Sequence, residues 1–146
     1  MSTTKRIGSS TKMTNKFGSS NIYPCLTKVS FSVTKILADI VEICNLTGME
    51  KLTKLQLDNN IIIKIQGLDE LVNLKWLDLS FNLIERIEGL DNLKELEDLS
   101  LFSNCIKEID GLENLTKLNV LSVGRNKIGD LDKTLKYLKI NLKNRL

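Results

Sequence analysis

The chain has 146 residues, of which 42% are apolar and 27% charged, enough for one compact hydrophobic core and too few for a multidomain enzyme. Its most hydrophobic stretch, residues 36–49, is interrupted by two acids and is shorter than the roughly eighteen apolar residues of a membrane-spanning helix, so we expect a soluble protein. The sequence has no histidine and no phosphate-binding glycine motif. The chain therefore lacks the usual imidazole base of nucleophilic catalysis, a common zinc ligand and a phosphate-binding loop. These absences predict a protein that is not an enzyme and needs no cofactor.

Charge is distributed unevenly along the chain. Residues 1–38 contain six basic residues and no acid, and residues 133–146 contain five basic residues and no acid, so the net charge of +3 leaves −8 for residues 39–132. An acidic body between two basic ends favours partners attracted by charge. It argues against a continuous nucleic-acid-binding surface.

Residues 1–28 are rich in Ser, Thr and Lys and poor in apolar residues, which predicts a disordered basic tail. The tail also has the acid-free composition of an organelle transit peptide, although it lacks amphipathic spacing and has few arginines. No secretory signal follows Lys5 and Arg6. We therefore expect a cytoplasmic chain whose three cysteines form no disulfide framework.

Residues 29–51 have the pattern of a degenerate repeat that caps the N-terminal end. Ile40, Ile43, Leu46 and Met49 have the spacing of apolar positions that recur later in the chain, whereas the strand half before them fits poorly. Terminal repeats are expected to be atypical because they have a neighbour on one side only.

Residues 52–139 have a period of 22 residues. The segments 52–73, 74–95, 96–117 and 118–139 align with leucine or valine at the first, fourth and sixth positions and asparagine at the ninth. This is the pattern of leucine-rich repeats. The predicted fold class is an α/β solenoid with a parallel β-sheet on its concave face and short helical or irregular segments on its convex face.

Two residue types that recur in every complete repeat have structural roles. An asparagine side chain offers two donors and an acceptor to backbone groups that the turn after each strand exposes inside the coil. The glycine of each Gly-Leu pair relieves a tight backbone position on the convex side. We predict a structural asparagine ladder formed by Asn60, Asn82, Asn104 and Asn126.

The fourth repeat lacks the Gly-Leu pair and has leucines at helical spacing instead, at Leu131, Leu135, Leu138 and Leu142. With lysines off this face, the pattern predicts a basic amphipathic segment that ends with residues 140–146. Either this helix anchors an acidic partner or a membrane surface, or its apolar face covers the last strand. The second reading is favoured.

The strands leave outward-facing positions on the concave face, where side chains of neighbouring repeats lie about 4.8 Å apart. Rings beside carboxylates are typical of protein-binding surfaces, in which the ring anchors the partner and the charges set its orientation. Trp76 is the main candidate anchor, whereas Phe81 is also explained by packing over the sheet edge. We predict a protein-binding face formed by Lys54, Gln56, Asp58, Trp76, Asp78, Ser80, Phe81, Asp98, Ser100, Phe102, Val120 and Arg125.

Three side chains in these repeats invite a chemical role. Asp78 and Asp98 lie diagonally on adjacent strands, close enough for acid/base chemistry, but we expect an open face to leave them solvated and without a pKa shift from burial. Cys105 has no basic neighbour in the sequence and is expected to be a half-buried structural thiol.

The pattern LxxLxLxxNxIxxIxGLxxL resembles the 22-residue subclass of repeats found in the nuclear regulatory subunit of protein phosphatase 1, in axonemal dynein light chain 1 and in axonemal dynein assembly factors. Residues 52–112, with the phrases LTKLQLDNN, LDLSFN and LEDLSLFSN, are most similar to the dynein regulatory complex subunit 3 family of leucine-rich-repeat and coiled-coil proteins. That family continues into further repeats and a long coiled coil, and this chain has no heptads.

The resemblance implies a non-catalytic scaffold of the nexin–dynein regulatory complex, which helps to regulate the motility of cilia and flagella. The implied location is the axonemal cytoskeleton. The implied partners are other axonemal or dynein regulatory complex proteins, with dynein or tubulin among the candidates, and neither nucleic acid nor a membrane span. Two alternatives stay open: a regulatory subunit of a protein phosphatase and a cytoplasmic axonemal dynein assembly factor.

Overall fold

The computed structural model describes residues 34–35, 40–44 and 46–141, with the backbone alone at 34–35. The predicted tail, residues 1–28, lies outside the described residues, and so do Leu142 and the rest of the C-terminal end. One parallel sheet holds its strands in chain order, and a helix follows the last strand. The elements are β1 (Thr34–Lys35), β2 (Lys54–Gln56), β3 (Trp76–Asp78), β4 (Asp98–Ser100), β5 (Val120–Ser122) and α1 (Leu131–Asn141).

The register of the sheet follows the sequence period. Leu55 lies opposite Leu77, Leu77 opposite Leu99, and Leu99 opposite Leu121. Side chains alternate along a strand, so the central leucine of each strand points into the solenoid while its two neighbours face outward. The predicted fold class, a solenoid with a parallel sheet on one face, is confirmed.

The convex half of each repeat is a series of tight turns without a regular helix in residues 57–75, 79–97 and 101–119. In the first of these segments the N–H of Leu71 donates to the carbonyl of Leu68, and the N–H of Leu74 donates to that of Leu71. Leucines and isoleucines of both halves meet in one continuous core. Each fully buried Leu or Ile contributes about 1.5–3 kcal/mol, so the stacked rows are the main source of stability.

Asparagine side chains tie adjacent repeats together. Asn82 Oδ1 accepts from the N–H of Ile62 at 3.0 Å, and its Nδ2 donates to the carbonyls of Leu57 and Leu79, each at 3.0 Å. Asn104 repeats these bonds one coil further on, and Asn126 repeats them at the end of the sheet. Because the partners are buried backbone groups that water does not reach, these bonds hold the turn after each strand in place.

The repeated glycines occupy positions that no other residue fits. Gly67, Gly89 and Gly111 have φ between 65° and 69°. A Cβ at Gly89 would lie 2.7 Å from the carbonyl oxygen of Ile65 in the preceding repeat. Both the left-handed backbone and the close approach of the neighbouring coil therefore require glycine.

The region predicted as an N-terminal cap contributes to the same core. Ile40, Ile43 and Leu46 are buried, and the N–H of Ile40 donates to Asn60 Oδ1. In β1, Thr34 lies opposite Leu55, which is one residue fewer than the 22-residue period. This shift explains why the strand half of the segment fits the repeat pattern poorly.

The C-terminal helix forms, but its packed side differs from the predicted one. Thr134 is buried and Tyr137 and Leu138 pack against the core, whereas Leu131 and Leu135 are 68% and 47% exposed. The expectation that the leucine stripe covers the last strand is therefore wrong for these two residues.

Polar contacts set the rotation of α1. The Tyr137 hydroxyl accepts a hydrogen bond from the N–H of Leu112 at 2.9 Å, and Lys133 forms an ion pair with Glu108. Asp130 caps the helix start by accepting from the N–H of Lys133 at 2.8 Å. These contacts turn the tyrosine side of the helix toward the third and fourth repeats.

The cysteines depart in part from expectation. Cys105 is a free, half-buried thiol, as expected. Cys44 is disulfide-bonded, which the expectation of a fully reduced chain did not include. Among the described residues, no helix is both long and apolar enough to cross a membrane.

Candidate protein-binding face

The sheet places the predicted binding residues in rows across neighbouring strands. Registered Cα pairs form a first row of Lys54, Trp76, Asp98 and Val120 and a second row of Gln56, Asp78, Ser100 and Ser122. A third row, of Asp58, Ser80, Phe102 and Gly124, is held by backbone hydrogen bonds between the ends of the strands. These three rows make up the surface that we call the concave face.

Trp76 lies at the centre of the first row, half-buried against its neighbours. Its registered neighbour on the adjacent strand is Asp98, and the two side chains are close enough that the indole favours the ionised form of that carboxylate. Trp76 is therefore a partly accessible aromatic group beside a carboxylate on the outer side of the sheet, away from the leucine core.

The two carboxylates of the concave face influence each other. Burial and the nearby charge of Asp78 raise the pKa of Asp98 above its ordinary value of 3.8, and the nearby indole of Trp76 partly offsets this rise. The expectation that an open face leaves these acids without a pKa shift from burial is wrong for Asp98. Its carboxylate is partly buried on the sheet surface, and partial burial disfavours the charged form.

A second aromatic cluster lies at the other end of the strands. The rings of Phe81 and Phe102 meet edge to face, with centroids 5.6 Å apart and planes at 68°. The guanidinium of Arg125 lies 5.6 Å from the centroid of Phe102. Phe81 is 47% exposed, so packing over the sheet edge does not remove it from solvent.

Residues at the Phe81 position share an unusual backbone. Asn59, Phe81, Ser103 and Arg125 have φ between 54° and 57°. The N–H of Phe81 donates to the carbonyl of Phe102 at 2.9 Å, and the N–H of Ser103 donates to that of Gly124 at 2.8 Å. These inter-repeat bonds hold the left-handed turn, which directs the side chain at this position along the edge of the concave face.

Two predicted contact residues are not accessible. Asp58 is 7% exposed and Ser80 is 6% exposed, which corrects the expectation that both face a partner. The Ser80 hydroxyl hydrogen-bonds the Ser100 hydroxyl at 2.7 Å, and the Asn59 side chain donates to the Asp58 carboxylate. In these repeats the third row is therefore part of the turn that follows the strand.

The other predicted residues remain at the surface. Lys54 and Arg125 are exposed, Gln56, Asp78 and Ser100 are half-buried, and Val120 is 48% exposed. The N–H of Ser80 donates to Asp78 Oδ1 at 2.9 Å, which holds this carboxylate over the second row. Whether these residues bind a partner stays a prediction.

Gly124 is a packing position that the predicted site residues did not include. A Cβ there would lie 3.0 Å from a ring carbon of Phe102, so the glycine leaves room for the ring beside the turn after β5. A bulky aromatic in one repeat followed by glycine at the same position of the next is the sequence signal for this packing.

The concave face offers groups for non-covalent contact. Among the residues that the structure describes, no group of three or more His, Cys, Asp or Glu side chains is placed to hold a metal ion. The accessible groups are rings, two carboxylates and two peripheral cations, which suit non-covalent recognition.

Comparison with known proteins identifies the architecture. The family model described as Leucine Rich repeats (2 copies) matches residues 94–144. The protein has the leucine-rich-repeat fold. The leucine-rich-repeat chain gives no significant match among curated proteins.

Solved structures with this fold come from varied proteins. Internalin C2 of Listeria monocytogenes is 31% identical over 70% of this chain and 44% of its own, with a TM-score of 0.58. A chain in the SNF/U2A' complex of Drosophila melanogaster is 28% identical over 73% of this chain and 64% of its own, with a TM-score of 0.61. The structure of the TLR13–ssRNA13 complex is 29% identical over 74% of this chain and 16% of its own, with a TM-score of 0.64. The chain spans less than two thirds of the length of each.

Proposed function

We propose that this leucine-rich-repeat chain is a non-catalytic scaffold that binds another protein through its concave face. The observation that carries the proposal is the placement of Trp76, Phe81 and Phe102. These three rings lie outside the leucine core, next to carboxylates that the same sheet orients. Rings held in fixed positions bind partner side chains with little loss of conformational entropy, which is why aromatic residues dominate the binding energy of many interfaces.

A protein partner fits the charge of this face better than a nucleic acid. One of the neighbours above is a complex with single-stranded RNA and another is a protein complex. In this chain the accessible centre of the concave face carries Asp78 and Asp98, which repel phosphate groups. The acidic net charge of residues 39–132 acts in the same direction.

The partner system that we propose is the axoneme of cilia and flagella. The similarity of residues 52–112 to the dynein regulatory complex subunit 3 family supports a role in the nexin–dynein regulatory complex, with axonemal proteins as the bound partners. A phosphatase regulatory subunit and a cytoplasmic dynein assembly factor are the alternatives, since their repeats have the same 22-residue pattern.

The test uses the tagged full chain expressed in ciliated cells, followed by separation of axonemes from cell bodies. The proposal expects the wild-type chain in the axonemal fraction and cross-linked to a regulatory complex protein. The substitution Trp76→Ala should release it while leaving its thermal unfolding unchanged. Val72→Ala, an exposed apolar residue in the turn before β3, is the matched control and should stay in the axoneme.

Other distributions reject the axonemal assignment. Recovery of the wild-type chain from the cell body alone favours the assembly factor. Phosphatase activity that co-purifies with the chain from cells without cilia favours the regulatory subunit. Equal axonemal retention of wild type and Trp76→Ala would remove Trp76 from the binding surface.

A further inference from the structure

The centre of the concave face holds two carboxylates that lack a cationic partner within the described residues. Several acids elsewhere on the solenoid are paired with a lysine of an adjacent repeat, for example Glu97 with Lys75 at 3.1 Å and Glu95 with Lys117 at 2.7 Å. Asp78 accepts a hydrogen bond from the backbone N–H of Ser80, and Asp98 lies opposite Trp76 in the sheet. Neither forms an ion pair with a described lysine or arginine, so the surface presents uncompensated negative charge to a partner.

Apolar groups lie on both sides of this charge. Trp76 and the exposed Val120 belong to the first row, and the Phe81–Phe102 pair lies at the level of the third row. First and third rows are four residues apart along a strand, which corresponds to about 13 Å. A bound segment that contacts both aromatic clusters therefore starts beside Asp98 in the first row and passes over Asp78 in the second.

The backbone of the face is not available for recognition. The N–H groups of Leu57, Leu79 and Leu101 donate to carbonyls of the next repeat at 2.8, 2.8 and 2.7 Å, and the strands between β1 and β5 pair on both sides. A partner cannot add as a further strand in the middle of the sheet. Binding at this position depends on side chains.

We propose that the concave face recognises a protein segment in which one lysine or arginine lies between apolar side chains. The basic group would occupy the space between Asp78 and Asp98, while the flanking apolar groups contact Trp76 on one side and Phe102 on the other. The inference rests on the proposed function, because it assigns a partner chemistry to the same surface. Apolar contacts on both sides shield the central charge pair from water, which strengthens it.

Peripheral cations restrict the same segment. Lys54 is exposed at one end of the first row, and Arg125 lies beside Phe102 at the opposite corner. Additional basic residues at the ends of a bound segment would be placed near these like charges. The face therefore selects a single central cation and disfavours a polybasic segment.

The experiment is a selection with random peptides displayed on phage, performed on the immobilised full chain. One selection uses wild type, and another uses the double variant Asp78→Asn/Asp98→Asn, which keeps the shape and one accepting oxygen of each side chain while removing the charge. A third uses Asp69→Asn/Asp91→Asn, which removes the same charge from exposed turns on the convex side. Thermal unfolding of all variants verifies that they are folded.

Peptides selected on wild type should share one lysine or arginine between apolar residues. Their affinity should fall about tenfold or more on Asp78→Asn/Asp98→Asn and stay unchanged on the convex control. Replacing the basic residue of a selected peptide by norleucine should cause a comparable loss on wild type and little further loss on the double variant.

Two results separate the inference from the proposed function. The first is a set of peptides that lose affinity for Trp76→Ala and Phe102→Ala but bind Asp78→Asn/Asp98→Asn as tightly as wild type. This result would overturn the inference and leave the binding face intact. A selection that yields no peptide dependent on Trp76 or Phe102 would contradict the binding face itself, and the inference with it.

Discussion

Phe102 packs against Gly124 of the next repeat, close enough that a Cβ on the glycine would be 3.0 Å from a ring carbon. The same ring meets Phe81 edge to face and has Arg125 beside it. One glycine therefore sets the position of an aromatic cluster at the edge of the concave face.

Gly124→Ala should move the Phe102 ring with little effect on stability. The added methyl group requires the ring to shift by a few tenths of an ångström, and the backbone at Gly124 is not left-handed. We expect altered NMR chemical shifts of the Phe102 and Phe81 rings and weaker binding of any partner that contacts them. Gly129→Ala is the matched control, because nothing lies within 4 Å of a Cβ at that position. Unchanged ring shifts in Gly124→Ala would show that the ring does not rest on the glycine.

Gly89→Ala should destabilise the fold strongly. Its left-handed backbone costs a non-glycine residue about 1–2 kcal/mol, and the new Cβ would also lie 2.7 Å from the carbonyl oxygen of Ile65. Gly48 has φ 80° but open space around its Cβ, so Gly48→Ala isolates the backbone contribution. The free energy of unfolding, measured in urea, should fall further for Gly89→Ala than for Gly48→Ala. Equal losses would mean that the close approach to Ile65 has no energetic effect.

Asn104→Ala should cost about 1–3 kcal/mol, because it leaves the buried N–H of Ile84 without its acceptor. The carbonyls of Leu79 and Leu101 lose one donor each but keep the side chains of Asn82 and Asn126. Asn126→Ala should cost less, since Asn126 is half-buried at the end of the sheet and water can replace part of its bonds. Urea denaturation measures both. Asn92→Ala serves as the control, because its side chain is exposed, and a loss there as large as at Asn104 would contradict a role for burial.

Protonation of Asp98 should be visible in the emission of Trp76, the single tryptophan of the chain. Burial and the charge of Asp78 raise the pKa of Asp98 above 3.8, so the emission should change with a midpoint above that value. Adjacent strands contribute Trp76 and Asp78 from β3 and the uncharged Val120 and Ser122 from β5. Asp78→Asn should lower the midpoint, and Asp98→Asn should abolish the transition. A midpoint that does not move in Asp78→Asn would disprove the coupling.

The same shift has a consequence for stability. Because the pKa of Asp98 is raised in the folded chain, the stabilisation linked to its protonation is present at low pH and lost as the pH rises through the folded pKa. At neutral pH the ionised carboxylate of Asp98 lies near the charge of Asp78, and this repulsion lowers the free energy of unfolding. Asp98→Asn should therefore unfold at the same or a higher temperature than wild type at pH 7, with a gain of no more than about 1 kcal/mol for an accessible pair. A clearly lower unfolding temperature for Asp98→Asn than for wild type at pH 7 would contradict this prediction.

The sequence predicts the solenoid well because one spacing determines many contacts at once. A 22-residue period places Leu55, Leu77 and Leu99 in register, and the outward rows follow from the alternation of side chains along each strand. The same period places Trp76 opposite Asp98 on the neighbouring strand. Because the outward rows follow from the repeat period, the conformation of any single turn does not change them.

Features that depend on one local contact could not be predicted. Asp58 and Ser80 are predicted on the accessible face, but both are buried and their side chains hydrogen-bond neighbouring side chains. The leucine spacing of α1 indicates a helix, yet Tyr137 packs against the core instead of Leu131 and Leu135, with contacts from Leu112 to Tyr137 and from Glu108 to Lys133. Periodicity carries no information about such contacts, since each occurs once in the chain.

The most direct test of the binding face is site-specific photo-cross-linking in ciliated cells. A benzophenone amino acid replaces Lys54, an exposed residue of the first row next to Trp76, or Lys94, an exposed lysine in a convex turn. We expect a benzophenone at position 54 to give a defined cross-linked adduct, and we expect this adduct to disappear when Trp76→Ala is present in the same chain. A benzophenone at position 94 should give no corresponding adduct. The same adduct from position 94, or an adduct from position 54 that is unaffected by Trp76→Ala, would contradict binding through the concave face.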